Sequence, residues 1–335
     1  MENLTTSYSM PARFAGGSVT ASWEPAGEGS GESRVSPVSP VSIDEAFRYC
    51  ARVATAHYEN FPVASLFLPA DKRPYIQAIY AFSRVADDFA DEQDRLPAER
   101  LANLDDWERM LRECYQGKAE HPVFIALGET VRQNRIPIEP LLDLLAAFRR
   151  DVTQSRYESF DDLLGYCRCS ANPVGRLVLM IFGHREEALF ALSDRICTAL
   201  QLANFWQDVF VDAARNRLYI PLEDMRRFGY AEASWLGRVP GKGYKELMKF
   251  EIERTKGMFY EGAELPRLVE KELQVELKMV WLGGMSILRL LEKRGLDTGR
   301  RPSLGTLRKI MILVRALLVD DLSRYGRKKK QWDLT

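Results

Sequence analysis

Two groups of polar residues stand at helical intervals within apolar stretches of the chain, and each contains a pair of aspartates. The first group, at intervals of four, three and four residues, consists of Tyr80, Arg84, Asp87 and Asp91. The second group, at intervals of four residues, consists of Asn204, Asp208 and Asp212. Residues three or four apart lie on one face of an α-helix, so each group would present its carboxylates together.

Carboxylates gathered on two apolar helices need a cation between them. Like charges four residues apart destabilise a helix only modestly, whereas burial of an unpaired charge costs far more. Mg²⁺ removes this conflict, because it accepts one or two carboxylates and bridges to phosphate oxygens. We therefore predict Mg²⁺ as the cofactor. The two acidic faces would hold a diphosphate across a cavity, with Arg84 and Arg217 neutralising the remaining negative charge.

The alternative for either group alone is an ordinary charged helix surface. Asp87 and Asp88 would then be solvated, as we expect for Asp105 and Asp106. Two such pairs occur, however, and each is preceded by a polar residue on the same face and embedded in apolar sequence. This combination favours a metal site over a solvated surface.

The segments that carry the two groups are predicted to be long amphipathic helices. The first would begin with Asp71 as its cap and Pro74 in its first turn. The second would begin near Glu186 and carry an apolar stripe as far as Trp206. Strand-like alternation is hard to find, and helical periodicity also covers residues 101–115, 138–150, 244–260, 270–293 and 304–320. The prediction is an all-α, single-domain helical bundle around a central cavity.

Composition limits both the domain and its partners. Residues 1–40 are rich in Ser, Gly, Pro and Glu and are predicted to form a disordered tail, followed by a helical domain over 43–320 and a basic C-terminal tail over 321–335. The 47 basic and 47 acidic residues cancel, which argues against nucleic acid as a partner. Five scattered cysteines, no signal peptide and no membrane-spanning stretch together indicate a cytoplasmic protein.

Both aspartate groups resemble the signature motifs of the squalene/phytoene synthase family. The first motif reads YAFSRVADDFAD and the second reads NFWQDVFVDAARNRLYIP, and the resemblance covers residues 43–316. It implies the all-α isoprenoid synthase fold and a Mg²⁺-dependent enzyme that acts on a prenyl-type diphosphate. The metal ligands that it implies are Asp87, Asp91, Asn204, Asp208 and Asp212.

The resemblance also implies roles for residues outside the metal site. Tyr166 resembles the family's tyrosine near the reacting carbon, and it would be catalytic together with the four aspartates. An ordinary core tyrosine is the alternative. The candidates for an aromatic pocket that shields the cationic intermediate are Phe61, Phe82, Phe205 and Trp206, and ordinary core packing is the alternative for each. The residues implied in substrate or diphosphate binding are His57, Asn60, Tyr80, Arg84, Asn204, Arg217 and Tyr219.

Departures from the general family pattern point to one subgroup. Both serines of the family's HSKSF segment are replaced in His57-Tyr58-Glu59-Asn60-Phe61, which argues against an unaltered condensation of two prenyl diphosphates. The segments AHYENFPVAS, YCRCSANPVGR and FWQDV are similar to the hydroxysqualene synthases of bacterial hopanoid biosynthesis. This similarity implies a carbon–oxygen lyase that converts presqualene diphosphate and water to hydroxysqualene and diphosphate.

Two other functions stay open at this point. The first is a head-to-head condensing prenyltransferase that makes presqualene diphosphate or phytoene, and the replaced serines argue against it. The second is a non-catalytic helical assembly factor of the same fold, which the retention of four aspartates and Arg84 disfavours. For the favoured function, a presqualene diphosphate synthase is expected as a partner enzyme.

The C-terminal region suggests contact with one face of a membrane. One helical face carries Leu304, Leu307, Met311, Val314 and Leu318, and a basic run from Arg327 to Lys330 follows. Such a face could dock on the inner membrane surface, where a lipophilic substrate would partition. The alternative is a core-packing helix followed by a solvated tail.

Overall fold

The computed structural model describes residues 41–56, 68–92, 94–294, 296, 301 and 304–325. All regular structure in these residues is helical, which confirms the all-α prediction. The α-helices are α1 Ile43–Ala56, α2 Arg73–Asp91, α3 Pro97–Tyr115, α4 Pro122–Asn134, α5 Glu139–Thr153, α6 Phe160–Ser170, α7 Asn172–Ile181, α8 Glu187–Ala213, α9 Leu222–Phe228, α10 Glu232–Leu236, α11 Tyr244–Glu261, α12 Lys271–Lys293 and α13 Thr306–Leu318.

Helix α8, which carries the second aspartate group, runs through the centre of the molecule. Twenty of its 27 residues are buried, and it packs against α6, α7, α11 and α12. The indole of Trp206 donates a hydrogen bond to the Thr255 hydroxyl on α11, and Trp235 donates to the Val209 carbonyl. Buried indoles need such partners, so these bonds fix the position of α8 within the bundle.

Helix α2, which carries the first aspartate group, lies among α1, α3, α4 and α5. Proline in its first turn suits a helix start, because that position needs no backbone donor. Phe82 of α2 stacks with Trp107 and meets Phe124 edge to face, so these rings form the core on this side. Of the two alternatives for Phe82 and Trp206, the structure favours ordinary core packing, since both side chains are buried in the core.

Several sequence predictions fall outside the described residues. These include the polar tail over 1–40, the basic run from Arg327 to Lys330, and the residues His57, Asn60 and Phe61. After α13 the chain makes a short 3₁₀ turn, Leu322–Arg324, in which Leu322 is buried. Tyr325 then meets the Trp281 ring edge to face, so packed structure continues as far as Tyr325. No helix in the described part of the chain is long and apolar enough to span a membrane.

Candidate functional site

Helices α2, α5, α6, α7 and α8 line a partly open cavity with a mainly apolar wall, and its empty space is about 860 Å³ with the open mouth included. Three predicted site residues, Tyr80, Asp87 and Tyr166, lie on this wall. A second cavity of about 610 Å³ adjoins it between α7, α8 and α12, and the two cavities share lining residues. The shared residues are Ile76, Val174 and Val178. The predicted central cavity is thus a pair of adjoining hydrocarbon-lined spaces.

The first aspartate group is buried at the edge of the larger cavity. Asp87 is only 8% exposed, and Arg84 lies 3.8 Å from its Oδ2 while forming a 2.5 Å ion pair with Asp88. Burial raises the pKa of Asp87 well above its usual value, and the neighbouring Asp91 charge raises it further. Burial also raises the pKa of Asp88, to about 6, against the opposing effect of Arg84. A solvated helix surface is therefore excluded for Asp87.

Asp91 of the first motif forms ion pairs with two arginines that follow α8, the helix of the second aspartate group. Arg217 donates to Asp91 Oδ1 at 2.9 Å, and Arg215 approaches Asp91 Oδ2 at 3.3 Å. Arg217 is itself buried, so its guanidinium is held close to the acidic group. The structure thus brings together one predicted metal ligand and one predicted diphosphate-binding residue from distant parts of the chain.

Tyr166 is held by an acid that the sequence reasoning missed. Its hydroxyl lies 2.9 Å from both carboxylate oxygens of Asp151, and the Tyr219 hydroxyl donates to Oδ1 of the same acid at 3.3 Å. The Tyr219 ring stacks on Phe205, with centroids 3.9 Å apart. Tyr166 therefore both satisfies its hydroxyl and lines the cavity, which unites the two interpretations offered for it.

The second aspartate group is buried along α8. Asn204, Asp208 and Asp212 are each less than a tenth exposed. Arg301, which precedes α13, binds Asp208 through both oxygens, with Nε–Oδ1 at 2.6 Å and Nη2–Oδ2 at 3.0 Å. Such a bidentate ion pair strongly compensates the negative charge of a buried carboxylate. Asp208 and Asp212 are not among the described residues that line the two cavities.

The acidic residues form no complete metal site by themselves in the described part of the chain, so the predicted Mg²⁺ would also need phosphate oxygens as ligands. Within the ranges that the structure describes, no three His, Cys, Asp or Glu side chains are grouped to hold a metal by themselves. Mg²⁺ needs only one or two carboxylates when phosphate oxygens and water complete its shell. The buried Asp87 Oδ2 atom accepts no hydrogen bond from the described residues and offers one such ligand. The five proposed metal ligands thus remain a prediction.

Asp151 and Arg301 were not predicted as site residues, for different reasons. Asp151 continues the cavity-facing apolar stripe of α5, after Leu144 and Phe148, and a charged residue on such a stripe was a readable signal. Arg301 stands in a non-helical segment and meets Asp208 across a long stretch of chain, so helical periodicity carries no information about it.

Comparison with known proteins identifies the family of this chain. The squalene/phytoene synthase family model matches residues 54–308. A hydroxysqualene synthase from Zymomonas mobilis is 37% identical over 242 residues, which cover 70% of this chain and 79% of that protein. A 15-cis-phytoene synthase from Synechocystis is 29% identical over 290 residues, which cover 83% of this chain and 86% of that protein.

Solved structures show the same likeness. The structure of squalene synthase HpnC from Alicyclobacillus acidocaldarius is similar with a TM-score of 0.73 and 41% identity, covering 77% of this chain and 97% of that one. A dehydrosqualene synthase in complex with a ligand is similar with a TM-score of 0.74 and 26% identity, covering 82% and 96%. The chain belongs to the squalene/phytoene synthase family.

Proposed function

We propose that this isoprenoid synthase is a hydroxysqualene synthase, which converts presqualene diphosphate and water to hydroxysqualene and diphosphate. The observation that carries the proposal is the pair of adjoining apolar cavities beside a buried cluster of aspartates and arginines. This arrangement suits a substrate with two hydrocarbon arms and one diphosphate. The likeness to a named hydroxysqualene synthase at 37% identity supports the same choice.

The charged residues of the site would bind the diphosphate. Arg84 and Arg217 lie next to the first aspartate group, and their guanidinium groups can form ion pairs with phosphate oxygens. Asp87, Asp91 and Asp208 would hold Mg²⁺ with Asn204 and Asp212. When bound, Mg²⁺ supplies a Lewis acid that lowers the barrier to departure of the diphosphate.

The reaction then depends on a dry, apolar cavity. The carbon–oxygen bond breaks, and its electron pair leaves with the diphosphate. The cyclopropylcarbinyl cation rearranges to join the two arms, the oxygen of water bonds to it, and one proton of that water passes to the diphosphate. The apolar wall excludes other water until this step. The faces of Tyr166 and Phe148, both on the wall, can stabilise the cation.

The reaction has consequences for location and partners. We place the enzyme in the cytoplasm, in peripheral contact with the inner membrane face, because both substrate and product are largely hydrocarbon. A presqualene diphosphate synthase must supply the substrate, and direct contact between the two enzymes forms no part of this proposal.

The experiment that tests the proposal is product analysis by mass spectrometry. The full chain is incubated with Mg²⁺ and presqualene diphosphate without a nicotinamide cofactor, and in parallel with farnesyl diphosphate alone. Hydroxysqualene in the first reaction and none of the condensed product in the second is the expected result. Efficient condensation of farnesyl diphosphate would instead identify a condensing prenyltransferase, in line with the similarity to phytoene synthases. No turnover of either substrate would favour a helical assembly factor.

A further inference from the structure

Helix α13 exposes a continuous apolar stripe. Leu307 and Leu318 at its two ends are 78% and 75% exposed. Between them lie four further exposed apolar residues at intervals of three and four, Ile310, Met311, Val314 and Leu317. An α-helix presents residues at these intervals on one face, over a length of about 20 Å for 13 residues. Contiguous exposed apolar surface of this kind marks an interaction site.

The opposite face of α13 is anchored to the domain. Ile312 and Ala316 are buried where α13 packs on α12, and Leu304 just before the helix is buried as well. Leu304 was expected to share the docking face, so that part of the sequence prediction was wrong. The exposed stripe is therefore a fixed outer surface of the folded domain, while the opposite face of α13 packs in the core as the alternative expected.

The basic residues around the stripe indicate what kind of surface it would bind. Residues 304–319 contain no acidic side chain, whereas Arg308 and Arg315 are exposed on α13. Asp320 and Asp321 follow the helix, and the exposed Arg324 forms an ion pair with Asp321 at 3.1 Å. The sequence then continues with four consecutive basic residues from Arg327 to Lys330. An apolar stripe flanked by cations is complementary to an anionic bilayer, which offers hydrocarbon below its phosphate groups.

We propose that α13 docks this protein on an anionic lipid bilayer, with the helix in the plane of the interface and its apolar stripe inserted. The purpose of docking rests on the proposed function, because a substrate and a product of about thirty carbons both partition into lipid. Docking itself needs no catalysis. The segment before α13 carries Arg301, which binds Asp208, so the chain connects the docked helix directly to a residue that contacts the second aspartate group.

Flotation of the full chain with vesicles tests the docking surface. The vesicles contain phosphatidylglycerol and phosphatidylcholine in equal amounts, and the variant carries Leu307→Ser and Leu318→Ser. We expect the intact chain to float and the variant to bind at least about tenfold more weakly, because two leucines lose their insertion into lipid. The control carries Leu96→Ser and Leu236→Ser, which are exposed elsewhere, and should bind as the intact chain does.

Four further comparisons complete this test. Vesicles of phosphatidylcholine alone, Arg308→Gln, and a chain that ends at Tyr325 should each weaken binding, and added salt should do the same. Equal binding by the leucine variant and the intact chain would overturn the proposal. So would failure of the intact chain to float together with dimerisation that the leucine variant abolishes. Hydroxysqualene formation in detergent is scored separately, so a protein that floats without turning over would contradict only the proposed function.

Discussion

Asp151 holds two tyrosine hydroxyls at the wall of the larger cavity. Its carboxylate accepts from Tyr166 and Tyr219, and its backbone carbonyl lies 3.4 Å from Arg217. Two phenols that share one acceptor have little freedom to rotate, so the acid fixes how their rings face the cavity. Under the proposed function, we therefore expect Asp151 to be a positioning residue that acts through Tyr166.

Replacement of this acid tests that role. We expect Asp151→Asn to lower kcat by about tenfold to a hundredfold, because an amide offers only one oxygen to the two hydroxyls. Combined with Tyr166→Phe, it should cost no more than the worse single change, since both act through one group. Asp161→Asn, an exposed change on α6, is the matched control. Wild-type kcat in Asp151→Asn, or losses that multiply in the double variant, would contradict this account.

At the residue scale, spacing predicted the acids of the motifs but not their partners. The intervals between Asp87 and Asp91, and between Asp208 and Asp212, placed each pair on one helix face, and both pairs are indeed buried or half-buried on single helices. The arginines that compensate Asp91 and Asp208 come from other parts of the chain. Such pairings depend on how the helices pack, which periodicity within one helix does not encode.

At the element scale, the close approach of α7 to α8 depends on Gly175. A Cβ atom at this position would lie 2.3 Å from the Ser193 hydroxyl oxygen and 2.6 Å from the Cys197 sulfur. Neither distance is compatible with a real contact, so the Ser193 and Cys197 side chains would have to rotate or the two helices would have to move apart. Gly175, Ser193 and Cys197 all line the smaller cavity, so either change would alter the shape of that cavity.

Substitution of this glycine should therefore destabilise the fold. We expect Gly175→Ala to lower the free energy of unfolding by about 1–3 kcal/mol in urea titration, as overpacking does. Addition of Ser193→Ala and Cys197→Ala should recover most of the loss. Gly257→Ala on α11 is the control, because a Cβ there meets no atom within 4 Å, and it should be neutral or slightly stabilising. Equal stability of the two alanine variants would show that the helices do not meet so closely.

Helix positions were the most predictable part of the fold. The predicted starts lie within two residues of α2 from Arg73 and α8 from Glu187, because apolar periodicity and turn residues are local signals. The prediction of Asp71 as the cap was wrong, since Lys72 occupies the N-cap position of α2. The same apolar pattern could not tell a core helix from a docking helix in α13. Which face of that helix is covered depends on its packing against α12, and this is a tertiary property.

At the scale of the whole molecule, a buried acid makes stability depend on pH. Glu276 of α12 lines the smaller cavity, and its Oε2 atom has no hydrogen-bond partner in the described part of the chain. Burial raises the pKa of Glu276 to about 8. The unfolded chain loses this proton near pH 4.5, whereas the folded protein keeps it until about pH 8. The stability that Glu276 contributes is therefore full below pH 4.5 and is lost as the pH rises to about 8.

The amide analogue removes this dependence. We expect Glu276→Gln to match the wild type near pH 4.5 and to be more stable at pH 8, by about 4 kcal/mol at most. Urea unfolding across this pH range measures the difference, and Glu272→Gln at an exposed position of the same helix is the control. A constant difference between Glu276→Gln and wild type at every pH would show that Glu276 keeps an ordinary pKa in the folded protein.

The central claim is that the two aspartate groups act together on one diphosphate. The most direct test is the turnover of presqualene diphosphate with Mg²⁺ by Asp87→Asn and Asp208→Asn, with the exposed Asp106→Asn as the control and thermal melting as the check on folding. We predict that each site variant loses at least about a hundredfold in hydroxysqualene formation, while the control keeps wild-type turnover. Wild-type turnover in either site variant would contradict the account, because the reaction would then not require both groups.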